Sequence, residues 1–93
     1  MADRRSRYES HTDSDTGIRF VFAFDADAPD LLHIWVRHLT VPEDAMDAFF
    51  DSDARTRWDP VHRRFETSTP THLLTWFWIE VDQTVMVITC MRQ

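Results

Sequence analysis

The chain has 93 residues, 43% of them hydrophobic, and a formal net charge of −6. That length supports one small domain with a modest core. It contains no apolar run near the ~18 residues of a membrane span, and its acidity disfavours general nucleic-acid binding.

All ten basic residues are Arg, and Asp outnumbers Glu, a pattern that fits a GC-rich genome or a salt-loving host. Charge is unevenly spread. Residues 25–54 hold eight acids and one base, whereas residues 55–93 hold four acids and five arginines. An anionic partner is therefore expected on the second half. Cys90 is the single cysteine, so no internal disulfide forms and the expected setting is cytoplasmic. It lies in an apolar run and reads as a small packed hydrophobe rather than a nucleophile. The charged N-terminus has no hydrophobic signal core, so export is not expected.

Residues 1–16 are polar, with Arg4, Arg5 and Arg7 set against Asp3, Glu9, Asp13 and Asp15. They read as a flexible tail ahead of a single domain at 17–93. Ile18, Phe20, Phe22 and Phe24 alternate with Arg19, Val21 and Ala23, the pattern of a strand with one strongly apolar face. Asp27, Pro29 and Asp30 then supply helix-start chemistry. Leu31, Leu32, Trp35, Val36 and Leu39 follow at helical spacing, predicting a helix over 29–38. Thr40 and Glu43 have the spacing of a capping box, with Pro42 in the first turn. Val41, Ala45, Met46 and Phe49 make the buried stripe of that second helix.

From Arg55 the pattern turns to strands. Residues 63–68 form a short candidate. Residues 71–80 are apolar on both sides, with Leu73, Phe77 and Ile79 opposite Leu74, Trp76 and Trp78. Residues 84–91 are similar, with Val85, Val87 and Met91 opposite Met86, Ile88 and Cys90. Val81-Asp82-Gln83 fits the hairpin turn between them. The expected fold is α+β: an N-terminal strand, a helical hairpin, then antiparallel strands with helices on one face. Strands apolar on both sides are normally covered on both. A partner is therefore expected on the second face, taken to be the one bearing His72, Trp76 and Trp78.

Asp59, His62, Arg63, Arg64 and Glu66 form the best chemical cluster. A histidine and a carboxylate can exchange roles as acid and base while an arginine stabilises a pentavalent phosphate, which is metal-independent RNA cleavage. The same residues also read as a solvated loop with surface ion pairs. His33 and His38 are five apart, on different helix faces, which argues against a shared metal. His38 sits where it would cap a helix end. No zinc, nucleotide-phosphate or serine-nucleophile motif is present, and Gly17 is the sole glycine, so neither metal nor cofactor is expected. Trp35, Trp58, Trp76 and Trp78 suit core packing by default, with base stacking or partner anchoring as the alternative.

Three segments carry a family resemblance. Phe22-Ala23-Phe24-Asp25, the run from His38 to Asp51, and Asp59-Pro60-Val61-His62 with Glu66 together resemble the BrnT-type toxins of type II toxin–antitoxin systems. These belong to the RelE/ParE-like superfamily. Leu39 stands where that family has glycine, Ser68 where an arginine usually follows the glutamate, and Arg92 falls one residue late. The resemblance implies a small cytoplasmic endoribonuclease neutralised by a protein antitoxin. His62, Glu66 and Arg92 would be catalytic, while Arg63, Arg64, His38, Trp76 and Trp78 would contact RNA or antitoxin. The competing reading is a non-catalytic acidic protein-interaction module, either a reused toxin fold or a nucleic-acid-mimicking inhibitor. A homodimer is compatible with both.

Overall fold

The computed structural model describes residues Tyr8–Gln93. Among these residues there are six strands, β1 (Tyr8–Thr12), β2 (Arg19–Ala23), β3 (Arg55–Asp59), β4 (Arg64–Ser68), β5 (His72–Ile79) and β6 (Thr84–Arg92). They form one sheet in the order β1-β2-β6-β5-β4-β3. The β2–β6 pair is parallel and the others are antiparallel. Between β2 and β3 lie two short helices, α1 (His33–His38) and α2 (Pro42–Phe50). Helix α1 rests on β2 and β6, and α2 on β4, β5 and β6.

This overturns the expected RelE/ParE-like α+β arrangement. Strand accounts for 45% of the structure and helix for 21%. The sheet is mixed, and the helices pack on it separately rather than as a hairpin. Part of the predicted tail is also ordered. Tyr8–Thr12 pairs with β2 over five residues, while Arg4, Arg5 and Arg7 lie outside the described residues. The polar run Tyr-Glu-Ser-His-Thr hides this strand because an edge strand exposes much of its surface.

The first helix is shorter than its periodicity suggests, and Asp25 is the reason. Its carboxylate accepts the amides of Asp27 and Ala28, so the chain turns there instead of entering a helix. Its own amide donates to the Leu31 carbonyl, which holds the turn closed. Only Ile34 of α1 is buried, leaving Leu31, Trp35 and Leu39 exposed. The helix ends at Leu39, whose φ of 55° lies in the left-handed region.

The second helix begins one residue late. Val41 is its N-cap, and the Asp44 carboxylate accepts the Val41 amide at 2.9 Å. A valine side chain cannot accept the reciprocal bond, so only half a capping box exists. Thr40 is fully buried and donates its hydroxyl to the Cys90 carbonyl at 2.7 Å, which ties the helical layer to β6.

The core lies between helices and sheet. Phe20 and Phe22 of β2, Leu74 and Trp76 of β5, and Val85, Val87 and Cys90 of β6 meet Ile34, Ala45 and Ala48. Phe49 makes edge-to-face contacts with Phe20 and Trp76, a favourable aromatic geometry. Pairing between β5 and β6 shifts between Thr75 and Trp76, so that Thr75 faces Thr89 while Trp76 faces Val87. Ile88 is the extra residue of this bulge. The bulge lets Val87 and Cys90, three apart, both reach the core, and it breaks the simple alternation read from the sequence.

Candidate functional site

The hairpin joining β3 to β4 is closed by Asp59. One carboxylate oxygen accepts the amides of Val61 and His62, and the other takes the His62 Nδ1–H at 2.8 Å. The His62 hydrogen bond, opposed by burial and helped by those amides, holds the Asp59 carboxyl below its ordinary value. Arg63 follows in the left-handed region, with φ 56°. These bonds account for the Asp-Pro-Val-His spacing as a turn device.

Glu66 stands three residues further on, within β4 and on the sheet face away from the helices. It binds Arg57 across the β3–β4 pair at 2.6 Å and lies 3.9 Å from Arg64. The Arg64 Nε is buried without a hydrogen-bond partner among the described residues. Arg92 pairs in register with His72, beside the β4–β5 turn. His62 lies in the turn at the opposite end of β4. Four residue steps of strand separate those ends, about 13 Å. The fold therefore brings Glu66 to Arg57 and Arg64, and His62 to Asp59, but keeps Arg92 far from His62.

The remaining predicted contacts lie elsewhere. Trp76 is 8% exposed, donates its indole N–H to Thr67 at 2.9 Å, and stacks on Phe65. It has no free face for a base. Trp78 is half-buried against the core and donates its indole N–H to Glu80. Both tryptophans, with Leu74, point under the helices. The face taken to await a partner is thus the covered one. His38 meets His33 edge to face at 6.4 Å between ring centroids, closer than their sequence separation suggested. Burial, then the nearby His33 and Arg37, push His38 below the ordinary imidazole value. No cluster of three His, Cys, Asp or Glu side chains suited to a metal occurs among the described residues.

The open side of the sheet is the other one. Leu73, Phe77 and Ile79 of β5, Met86 and Met91 of β6, and Val21 and Ala23 of β2 share it by register, with the hydrogen-bonded Thr75–Thr89 pair among them. Val21 and Thr75 are buried by their neighbours. Tyr8 lies there at 51% exposure and Phe77 at 38%. A shallow depression of about 360 Å³ on this side is lined by Tyr8, Ser10, Arg19, Val21, Ile79, Thr84 and Met86. Arg19 borders the apolar centre at one end, held by Thr84 and 3.9 Å from Asp82. Arg55, Arg57 and Arg64 border it at the other, by their register against Ser68, Glu66 and Asp59. Opposite, the helical side carries Glu43, Asp44 and Asp47. The two sides therefore differ in charge. The alternation of β5 did give this apolar set, but nothing in the sequence assigned it to the uncovered side.

A second polar centre escaped the sequence reading. Asp25 has a side chain with 0% exposure and accepts from His33 Nδ1 and Arg37 Nε, both at 3.2 Å. Burial would raise its pKa, but the Asp27 amide, His33, Arg37 and the Ala28 amide together bring it below the ordinary value. Four donors converge on one carboxylate, all from within the chain, so the centre organises the turn before α1. A hollow of about 600 Å³ adjoins it, lined by Tyr8, Ala23, Phe24, Asp25, Ala26, Pro29 and Asp30.

No family model, curated protein or solved structure matches this chain. No helix among the described residues is long and apolar enough to cross a membrane.

Proposed function

We propose that this domain is a non-catalytic protein-interaction module that docks through the uncovered face of its sheet. The observation that carries the reading is the pairing of an apolar centre, Leu73, Phe77, Ile79, Met86 and Met91, with arginines at its flanks. Aromatic residues, Met and Arg are the types enriched at protein interfaces, and flanking arginines fix orientation and association rate. Apart from Phe77 the centre is Leu, Ile and Met, which favours protein over RNA, whose bases call for several stacked aromatic platforms. His62 and Glu66 are engaged by Asp59, Arg57 and Arg64, in arrangements that serve the hairpin and the strand pair. A single buried cysteine, Cys90, suits a cytoplasmic setting.

The test places a photo-crosslinking amino acid at Phe77 and, as control, at Asp47 on the exposed side of α2. The protein is expressed in a bacterial host, and total RNA is examined from the same cells. The expected result is a discrete protein adduct from position 77, none from 47, intact RNA and normal growth. Growth arrest with RNA loss, relieved by substituting His62 and Glu66 with alanine, would replace this reading with the ribonuclease.

A further inference from the structure

The sheet ends at β3, and the described residues add no strand outside it. Five consecutive β3–β4 pairs run from Arg55↔Ser68 to Asp59↔Arg64 without a register shift. Natural edge strands are commonly blunted by charged side chains, proline, a bulge, extreme shortness or a covering segment. Of these β3 carries charge, which selects its occupant rather than closing the edge. The run Arg-Thr-Arg-Trp-Asp has no proline, and its first four residues are all exposed. Its outward amides and carbonyls form a template for another strand.

The side chains state what that strand must carry. Arg55 and Arg57 lie on the open side of the sheet, with Asp59 at the hairpin end of the same row. Arg57 is 75% exposed even while bound to Glu66, and Arg55 has no ion-pair partner among the described residues. On the other side are Thr56 and Trp58. Trp58 is 49% exposed and packs edge-on against Phe65 at 4.9 Å. It stands outside the helical layer, since α2 rests on β4, β5 and β6. The edge therefore presents Arg55 and the exposed Arg57 on one side and an aromatic ring on the other, with the two-residue period of a strand.

We infer that β3 receives an extended segment of a partner protein in which acidic residues alternate with apolar ones. The acids face Arg55 and Arg57, and the apolar residues cover Trp58. This deepens the interaction-module reading and rests on it, because the added strand prolongs the face on which Phe77 and Met86 lie. A second copy of β3 fits less well, since antiparallel pairing about Arg57 opposes the two Arg57 side chains, a destabilising arrangement, although Arg55 then meets Asp59 of the other copy. A dimer of the free chain in a sizing measurement, lost in Arg55→Glu, would overturn the inference.

The probe is a soluble synthetic peptide alternating glutamate with valine and phenylalanine. The same peptide with lysine for glutamate is the control. Backbone amide exchange of the full chain is followed by NMR. The glutamate peptide is expected to slow exchange at alternate amides of 55–59, as ladder pairing requires, and to bind roughly fivefold tighter than the lysine peptide. Arg55→Glu, at an exposed position, should reverse that preference with an unchanged circular dichroism spectrum. Equal binding of both peptides, or binding that leaves the 55–59 amides unprotected, would overturn the inference. If Phe77→Asp abolishes binding and Arg55→Glu does not, the occupant sits on the open face. The β3 assignment then falls while the module reading stands.

Discussion

Replacing Thr40 with valine tests how the helical layer is held to the sheet. The side chain is fully buried, and its hydroxyl donates at 2.7 Å to the Cys90 carbonyl, with a longer contact of 3.3 Å to the Ile34 carbonyl. Valine keeps the shape, removes the donor, and deprives the buried Cys90 carbonyl of that partner. The expected loss is ~1.5 kcal/mol, a fall in Tm of about 6–12 °C for a domain of this size. Thr40→Ser keeps the donor but loses a methyl from a filled site, at a cost of about 0.8 kcal/mol before any cavity effect. Glu43→Ala should change little, whereas Asp44→Ala removes the acceptor of the Val41 amide and costs about 0.5–1 kcal/mol. Urea unfolding followed by tryptophan fluorescence measures all four, with a constant m-value as the check on two-state behaviour. If Thr40→Ser is silent and Glu43→Ala costs as much as Asp44→Ala, Thr40 is the helix cap after all, and the tie between helices and β6 is refuted.

Leu39 is exposed with φ 55°, so Leu39→Gly should relieve left-handed strain and stabilise by about 1 kcal/mol in the same titration. Asp25→Asn should flatten the acid limb of stability. The folded carboxyl titrates below its ordinary 3.8, so its contribution is complete above that value and vanishes as pH falls through the lower folded one. Unfolding midpoints taken from pH 5 down to pH 2 should therefore converge for wild type and variant. Burial pushes the Cys90 thiol up to about 11, so iodoacetamide at pH 8 should label the folded chain far more slowly than the urea-unfolded chain.

The elements with strong patterns were readable. Alternating phenylalanines gave β2, the apolar stripe gave α2, and two long apolar runs gave β5 and β6. What escaped depends on contacts between distant residues. The turn before α1 is set by a buried Asp25 with partners at 33 and 37, so helix-forming spacing over 29–32 lost to side-chain capture of the backbone. Thr40 looked like a cap because its partner, Cys90, is fifty residues away. β1 and β3 are polar edge strands whose existence depends on the neighbours they join. The open face was misassigned because alternation alone cannot say which side helices cover, and the Ile88 bulge reverses parity along β6. Of the predicted site, Glu66 with Arg64 and His62 with Asp59 were brought together locally, while Arg92 was placed by the long β5–β6 pairing.

The position of β6 also bears on how the chain assembles. It follows the other five strands of the described residues in sequence yet it joins β2 to β5. The two flanks of the sheet, β1–β2 and β3–β4–β5, therefore cannot be joined until this strand pairs with both. Until β6 arrives, Phe20, Phe22, Leu74 and Trp76 have no common wall to pack against. Such late, long-range closure slows folding and leaves strand edges exposed meanwhile. Substitutions in β6 should accordingly reduce soluble yield during synthesis more than their effect on the finished domain would suggest.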